Sequence, residues 1–200
     1  MASGFWFIGI HGSSVTGSIY TPILTALSLE NQAAFAAGAA LPNIVNREFE
    51  TFFATFGGGG STLSLLIAML LFCNSKRIKD LAKISVAPGI FGINEPIIFG
   101  LPIVYNPILT IPFILAPVVS ASIGYWAVQL GIAGKAIAQT PWPTPIGIGI
   151  GAYVGSGGNI GAFVVALICA LAAFVIWYPF IKMYDTKLYK EEMTSAEAIQ

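Results

Sequence analysis

Between Ile84 and Ile181 the only charged side chains are Glu95 and Lys135. Glu95 lies in the run Gly92-Ile93-Asn94-Glu95-Pro96, in the middle of a long apolar segment. An ionisable group at membrane depth costs at least about 2.5 kcal/mol, which makes it a candidate functional group by default. The proline that follows disfavours helical backbone at Glu95 itself. That turns the carboxyl off a regular helix face and leaves neighbouring backbone groups free to bind a ligand. The competing reading is a structural carboxyl that caps a half-helix or pairs with Lys135. His11, the one histidine of the chain, lies in Ile10-His11-Gly12-Ser13-Ser14, where small and hydroxyl residues make a polar patch. It reads as a ligand contact or, more plainly, as a satisfied packing residue. Trp6 lies five residues earlier, on a neighbouring helix face. Trp142, within Thr140-Pro141-Trp142-Pro143-Thr144-Pro145, either stacks on an apolar ligand face or lies at a membrane interface. Aromatic platforms beside carboxylate, imidazole and amide groups suit carbohydrates, whose rings have apolar C–H faces and hydroxyl rims.

Other chemistries lack their residues. Gly134-Lys135-Ala136 has neither the upstream glycine nor the Ser/Thr of a nucleotide-binding loop. With one histidine, and with Asp80 and Asp185 at the ends of apolar runs, a Ser-His-Asp triad is not expected. No cluster has metal-ligand spacing, and no metal or cofactor is expected. Cys73 and Cys169 are far apart inside apolar runs and read as small core-filling residues. Zero net charge with nine basic residues gives no footprint for nucleic acid. Autonomous catalysis is not expected.

The elements that position these residues belong to a membrane protein. Hydrophobic residues make up 56% and charged residues 9% of 200 residues, with a mean hydropathy of +0.81. Soluble domains carry about 25% charged residues. A spanning helix needs about 20 mainly apolar residues. Candidates are Gly4 to Leu29, roughly Ser61 to Asn74 (extendable back through Phe52 but broken by Gly57-Gly58-Gly59-Gly60), Ile108 to Leu130, and Ile160 to Ile181. Two further apolar stretches are dense in proline and glycine, Val86 to Tyr105 and Pro145 to Gly161. Non-helical backbone survives in hydrocarbon only where it is buried in protein or lines a watery cavity. Broken helices of this kind build many transporter sites. Gly147, Gly151 and Gly155 equally fit close helix packing. The expected fold is all-α, with about four transmembrane helices plus re-entrant or broken helical hairpins.

Lys76, Arg77, Lys79 and Lys83 in one segment, and Lys182, Lys187 and Lys190 in the tail, are expected on the cytoplasmic side. That requires an even number of crossings between them, met by two full spans and a re-entrant hairpin near residues 86–105, and it starts the chain inside. Trp126, Trp177 and Tyr178 read as interfacial anchors. No cleaved signal peptide is expected. Residues 1–181 form the expected transport domain and 182–200 a short cytoplasmic tail.

The run from Val86 to Pro107 through Gly92-Ile93-Asn94-Glu95-Pro96 resembles the membrane-embedded IIC component of the lactose/cellobiose/diacetylchitobiose family. That family belongs to the bacterial phosphoenolpyruvate-dependent sugar phosphotransferase system. His11-Gly12, the tetraglycine and Trp142-Pro143-Thr144-Pro145 are also similar to it, so the resemblance covers essentially the whole chain. Family members are roughly twice this length, and the chain resembles their C-terminal half, which leads to the expectation of a fragment. The resemblance implies that Glu95 and His11 bind sugar hydroxyls, that Trp6 and Trp142 line the same cavity, and that Asn94 contributes by adjacency. It implies a bacterial cytoplasmic-membrane permease that takes up a β-linked disaccharide, of cellobiose type by preference, near whose 6-hydroxyl Glu95 acts as a base or an orienting group. Its implied partners are the disaccharide, the lipid bilayer, a second copy in a homodimer, and a phosphorylated cytoplasmic IIB protein whose own cysteine donates the phosphoryl group. Neither Cys73 nor Cys169 is expected to be phosphorylated. The alternatives are a proton-coupled secondary transporter with Glu95 as proton carrier, and a truncated, non-transporting membrane fragment.

Overall fold

The computed structural model describes residue 5, residues 12–137 and residues 149–197. All regular structure among them is helical: α1 (Gly12–Ala36), α2 (Arg47–Phe53), α3 (Thr62–Phe72), α4 (Lys76–Ile90), α5 (Glu95–Gly100), α6 (Pro107–Gln129), α7 (Ile150–Gly155) and α8 (Ile160–Glu197). Two of them, α6 and α8, are long and apolar enough to cross a membrane. At 1.5 Å per residue the 38 residues of α8 extend about 57 Å, well beyond a hydrocarbon core of about 30 Å. The expected span near residues 61–74 is the short helix α3, and its extension back through Phe52 belongs to a separate helix, α2, the two divided at the glycines.

Asn106 starts α6 by accepting from the N–H groups of Ile108 and Leu109, with Pro107 in the first turn, where its missing N–H costs nothing. One face of α8 is buried at four-residue intervals, through Cys169, Ala173, Trp177, Ile181 and Asp185. The small residues Ala162, Ala166 and Ala170 extend that face and let α6 and α3 approach closely. Polar contacts across these seams are self-satisfied. Ser120 Oγ donates to Cys169 O at 3.1 Å while Cys169 Sγ donates to Ser120 O at 3.3 Å, and Ser64 Oγ donates to Ala170 O at 2.9 Å. Both cysteines are buried and unbridged. Ile111, Ile114, Leu115 and Val118 of α6, with Leu167, Ile168, Leu171 and Val175 of α8, are exposed. An outward face so apolar is suited to lipid and unsuited to water.

Candidate functional site

The turn that carries Glu95 is built by the end of α4. Pro88 O accepts from Phe91 N and Ile93 N, both at 3.0 Å, and Gly92 at φ +80° reverses the chain. Asn94, buried, then caps α5, its carbonyl accepting from Ile97 N and Ile98 N at 3.0 Å each. Half-buried Glu95 is the first residue of that short helix. The expectation that Pro96 would keep Glu95 out of helical backbone is therefore corrected. Proline is tolerated in the first turn because N–H groups there have no intrahelical acceptor. The Glu95–Lys135 pair does not form either: Lys135 Nζ donates to the carbonyls of Leu41 and Pro42.

Against this turn lies the tetraglycine loop. Gly57, Gly58 and Gly60 all have positive φ, and the loop's carbonyls are taken in sequence. Thr62 Oγ1 donates to Gly57 O at 2.6 Å, Asn94 Nδ2 to Gly59 O at 2.8 Å and Trp177 Nε1 to Gly60 O at 2.9 Å. A Cβ on Gly58 would lie 2.7 Å from Asn94 Cγ and 2.9 Å from Gly92 O, and one on Gly60 would lie 2.3 Å from the Phe113 ring. Phe113 in turn meets Trp177 edge to face, with ring centroids 6.4 Å apart. Glycine is required here by close approach as well as by φ. What the loop provides is a rigid backing for Asn94 and Glu95. A half-buried carboxylate on such a backing is equipped to accept and orient a hydroxyl.

Of the residues singled out in the sequence, Asn94 and Glu95 are adjacent in this turn, whereas His11, Trp6 and Trp142 lie outside the described residues. Trp177 requires correction. It is fully buried at 0% exposure and bonded to Gly60, so it is no interfacial anchor, because its indole N–H has a protein partner deep in the helix seam. Trp126, 60% exposed, faces outward. Sequence reasoning also missed a buried polar seam between α1 and α2. Asn31 Nδ2 donates to Asn43 O and Ala136 O at 2.9 Å each, Asn46 Nδ2 donates to Ala136 O at 3.2 Å, and Ser28 donates to Glu48. Oxygen Oε1 of buried Glu48 has no hydrogen-bond partner among the described residues. The available signal was polar density, three asparagine and glutamate positions within Asn43–Glu48. The described residues contain no group of three or more His, Cys, Asp or Glu placed to hold a metal ion.

At the opposite end of α4, α8 supplies two carboxylates seven residues apart on one face. Asp185 accepts from Asn74 N at 2.9 and 3.0 Å and from Ser75 N at 2.8 Å. Glu192 accepts from Ser75 Oγ at 2.7 Å, Lys76 N at 3.0 Å and Arg77 N at 3.1 Å. Four consecutive N–H groups at the start of α4 are thereby satisfied, which favours negative charge at a helix N-terminus. The Ser75 hydroxyl, followed by the two backbone N–H groups, holds the Glu192 carboxyl below its usual range. The two basic segments expected on one side of the membrane are thus in contact, and the polar residues after Ile181 continue α8 as helix through Glu197.

The sequence and the fold are similar to those of known proteins. Residues 1–117 match the family model described as "Phosphotransferase system, EIIC". The chain is 40% identical over 189 residues to the lichenan permease IIC component of Bacillus subtilis (strain 168), covering 94% of this chain and 41% of that protein. It is 40% identical over 190 residues to the cellobiose-specific EIIC component of Geobacillus stearothermophilus, covering 94% and 42%. Its fold superposes on the crystal structure of the transporter ChbC, the IIC component from the N,N'-diacetylchitobiose-specific phosphotransferase system, with a TM-score of 0.91 at 41% identity, over 96% of this chain and 44% of that one. The chain belongs to the EIIC family of the phosphotransferase system, and it is an all-α membrane protein of that class. It spans about two fifths of the length of the curated relatives it matches.

Proposed function

We propose that this chain is the sugar-binding part of a IIC-type permease, taking up a β-linked disaccharide for phosphorylation during transport. The observation that carries this reading is the Asn94–Glu95 turn, braced on the tetraglycine loop within a fold that matches a diacetylchitobiose transporter at 41% identity. The sugars named for the relatives, lichenan, cellobiose and N,N'-diacetylchitobiose, all have β-linked rings with apolar faces and hydroxyl rims. Cellobiose-type β-glucosides are the favoured substrate. Glu95 accepts a hydrogen bond from the 6-hydroxyl of the non-reducing sugar, and His11, Asn94, Trp6 and Trp142 complete the cavity. Residues 1–181 carry the sugar between outward and inward access as a transport domain, working as a homodimer in the bacterial cytoplasmic membrane. The bound hydroxyl is then presented to a phosphorylated IIB protein on the cytoplasmic side, where residues 74–83 and the tail from Lys182 lie.

The test is equilibrium binding of a disaccharide panel to the purified chain in detergent, with Glu95→Gln in parallel. Saturable binding of one β-disaccharide, weakened about tenfold or more by loss of a charge-assisted hydrogen bond, is the expected result. Equal affinity of the wild type and Glu95→Gln would remove Glu95 from the site. Phosphorylation by phospho-IIB, measured on the complete permease carrying the same change, separates a base from an orienting group. At sugar concentrations that saturate the weakened site of Glu95→Gln, the base role predicts that phosphate transfer is still lost.

A further inference from the structure

The indole of Trp177 has an unusual partner for a tryptophan in the middle of a long helix. Its Nε1–H reaches Gly60 O, a loop carbonyl 117 residues away in sequence. The preceding loop carbonyl, Gly59 O, is held by the amide of Asn94. Two consecutive carbonyls are thus gripped from different elements, one by α8 and one by the residue before Glu95. The loop between them has no side chains with which to adjust. Gly58 is packed too closely on Asn94 and Gly92 to admit a Cβ, and Gly60 too closely on the face of Phe113. Movement of Gly60 O is therefore passed to Gly59 O and Asn94 with little slack, as in any close-packed interior. The other end of α4 is fixed to the same helix through Asp185 and Glu192. The segment leading to Glu95 is consequently tied to α8 at both ends.

We propose that Trp177 is a positioning residue for the Asn94–Glu95 turn, acting through the carbonyls of the tetraglycine loop without touching the sugar. Its functional consequence rests on reading Glu95 as the sugar ligand, whereas the mechanical coupling does not. The test is amide hydrogen exchange on the purified chain without sugar, comparing wild type, Trp177→Phe and Ser64→Ala. Trp177→Phe keeps an aromatic ring and removes the donor. Ser64→Ala removes another buried bond between helices, to Ala170 O, while leaving the donors to Gly59 O and Gly60 O in place. Loss of one buried hydrogen bond is worth up to about tenfold in an opening equilibrium. Exchange at residues 58–61 and 92–95 is expected to rise by about that factor in Trp177→Phe, while α6 stays protected and Ser64→Ala changes neither segment. Unchanged exchange at 92–95 in Trp177→Phe overturns the proposal. Should that variant lose protection throughout, the reverse substitution decides: Asn94→Ala must raise exchange at 60–61, and no rise there overturns the coupling. Disaccharide affinity, measured alongside, is expected to weaken in Trp177→Phe and to hold within about twofold in Ser64→Ala, a change below 0.5 kcal/mol. A wild-type chain that binds no disaccharide defeats the functional reading alone, since the exchange comparison without sugar still decides the role of Trp177.

Discussion

Replacing Gly58 and Gly59 separately by alanine isolates what the tetraglycine loop contributes. Gly58 has φ +99°, and its new Cβ would lie 2.7 Å from Asn94 Cγ, 2.8 Å from Asn94 Nδ2 and 2.9 Å from Gly92 O. The backbone strain alone is of order 1–3 kcal/mol for a residue other than glycine. Pushing Asn94 aside also breaks its bond to Gly59 O, a further loss of about 1 kcal/mol. The total is about 2–4 kcal/mol, or roughly 4–16 °C in unfolding midpoint for a chain of this size. Gly59 differs sharply. Its φ is outside the left-handed range, and the nearest atoms to a Cβ, on Phe113 and Asn94, are 3.9 and 4.0 Å away. Alanine there is ordinary contact and is expected to leave stability within about 1 kcal/mol of wild type. The assay is thermal unfolding of both variants in one detergent, followed by tryptophan fluorescence, with disaccharide affinity measured on the folded protein. Coincident midpoints for Gly58→Ala and Gly59→Ala would refute the reasoning, because the two differ only in the geometry just described.

Gly161→Ala is expected to perturb the α6–α8 connection severely, since a Cβ there would lie 1.9 Å from Ile132 O, a backbone atom that has no rotamer to relieve it. Loss of the folded species on size exclusion, relative to wild type, checks this, and a normally folded variant would contradict the packing at that corner. The Glu192 contact predicts a pH response whose sign follows from its lowered folded value. Its stabilisation of the tail is complete above the ordinary glutamate range of about 4.3 and disappears as pH falls through the lowered value. Proteolysis of residues 182–197 with an acid-active protease is expected to accelerate over that acid interval in the wild type. In Glu192→Gln, proteolysis is expected to be faster at neutral pH, read with a protease active there, and flatter through the acid interval.

Much of the fold was legible because its signals are local. The runs at Ile108–Leu130 and Ile160–Ile181 are apolar, uninterrupted by charge and close to the length a bilayer demands; α6 follows the first within a residue at each end, while α8 starts with the second at Ile160 and runs past it to Glu197. Of the candidate site, the Asn94–Glu95 turn was legible for the same reason. Glu95 is conspicuous as a lone carboxylate, and Asn94 came with it by adjacency. What stayed hidden depends on contacts across the chain: nothing near Gly60 announces Trp177, and nothing near Trp177 announces a glycine carbonyl. Tryptophan near the end of an apolar run has two physical uses, an interfacial perch or a buried donor, and only the three-dimensional neighbour distinguishes them. The contacts of the tail stayed hidden for a related reason. Asp185 and Glu192 look like solvated charges until the bare N–H groups of residues 74–77 are placed beside them.

The grip of Trp177 on Gly60 also fixes an order of events during synthesis. Chains emerge from the ribosome N-terminus first, and the glycine loop is made 117 residues before the indole that holds it. Asn74 waits a similar 111 residues for Asp185. Through that interval the Asn94–Glu95 turn exists with its backing unfastened at both ends. α8 thus acts as a latch, and the Asn94–Glu95 turn is fastened only when that helix has closed against the loop and the start of α4.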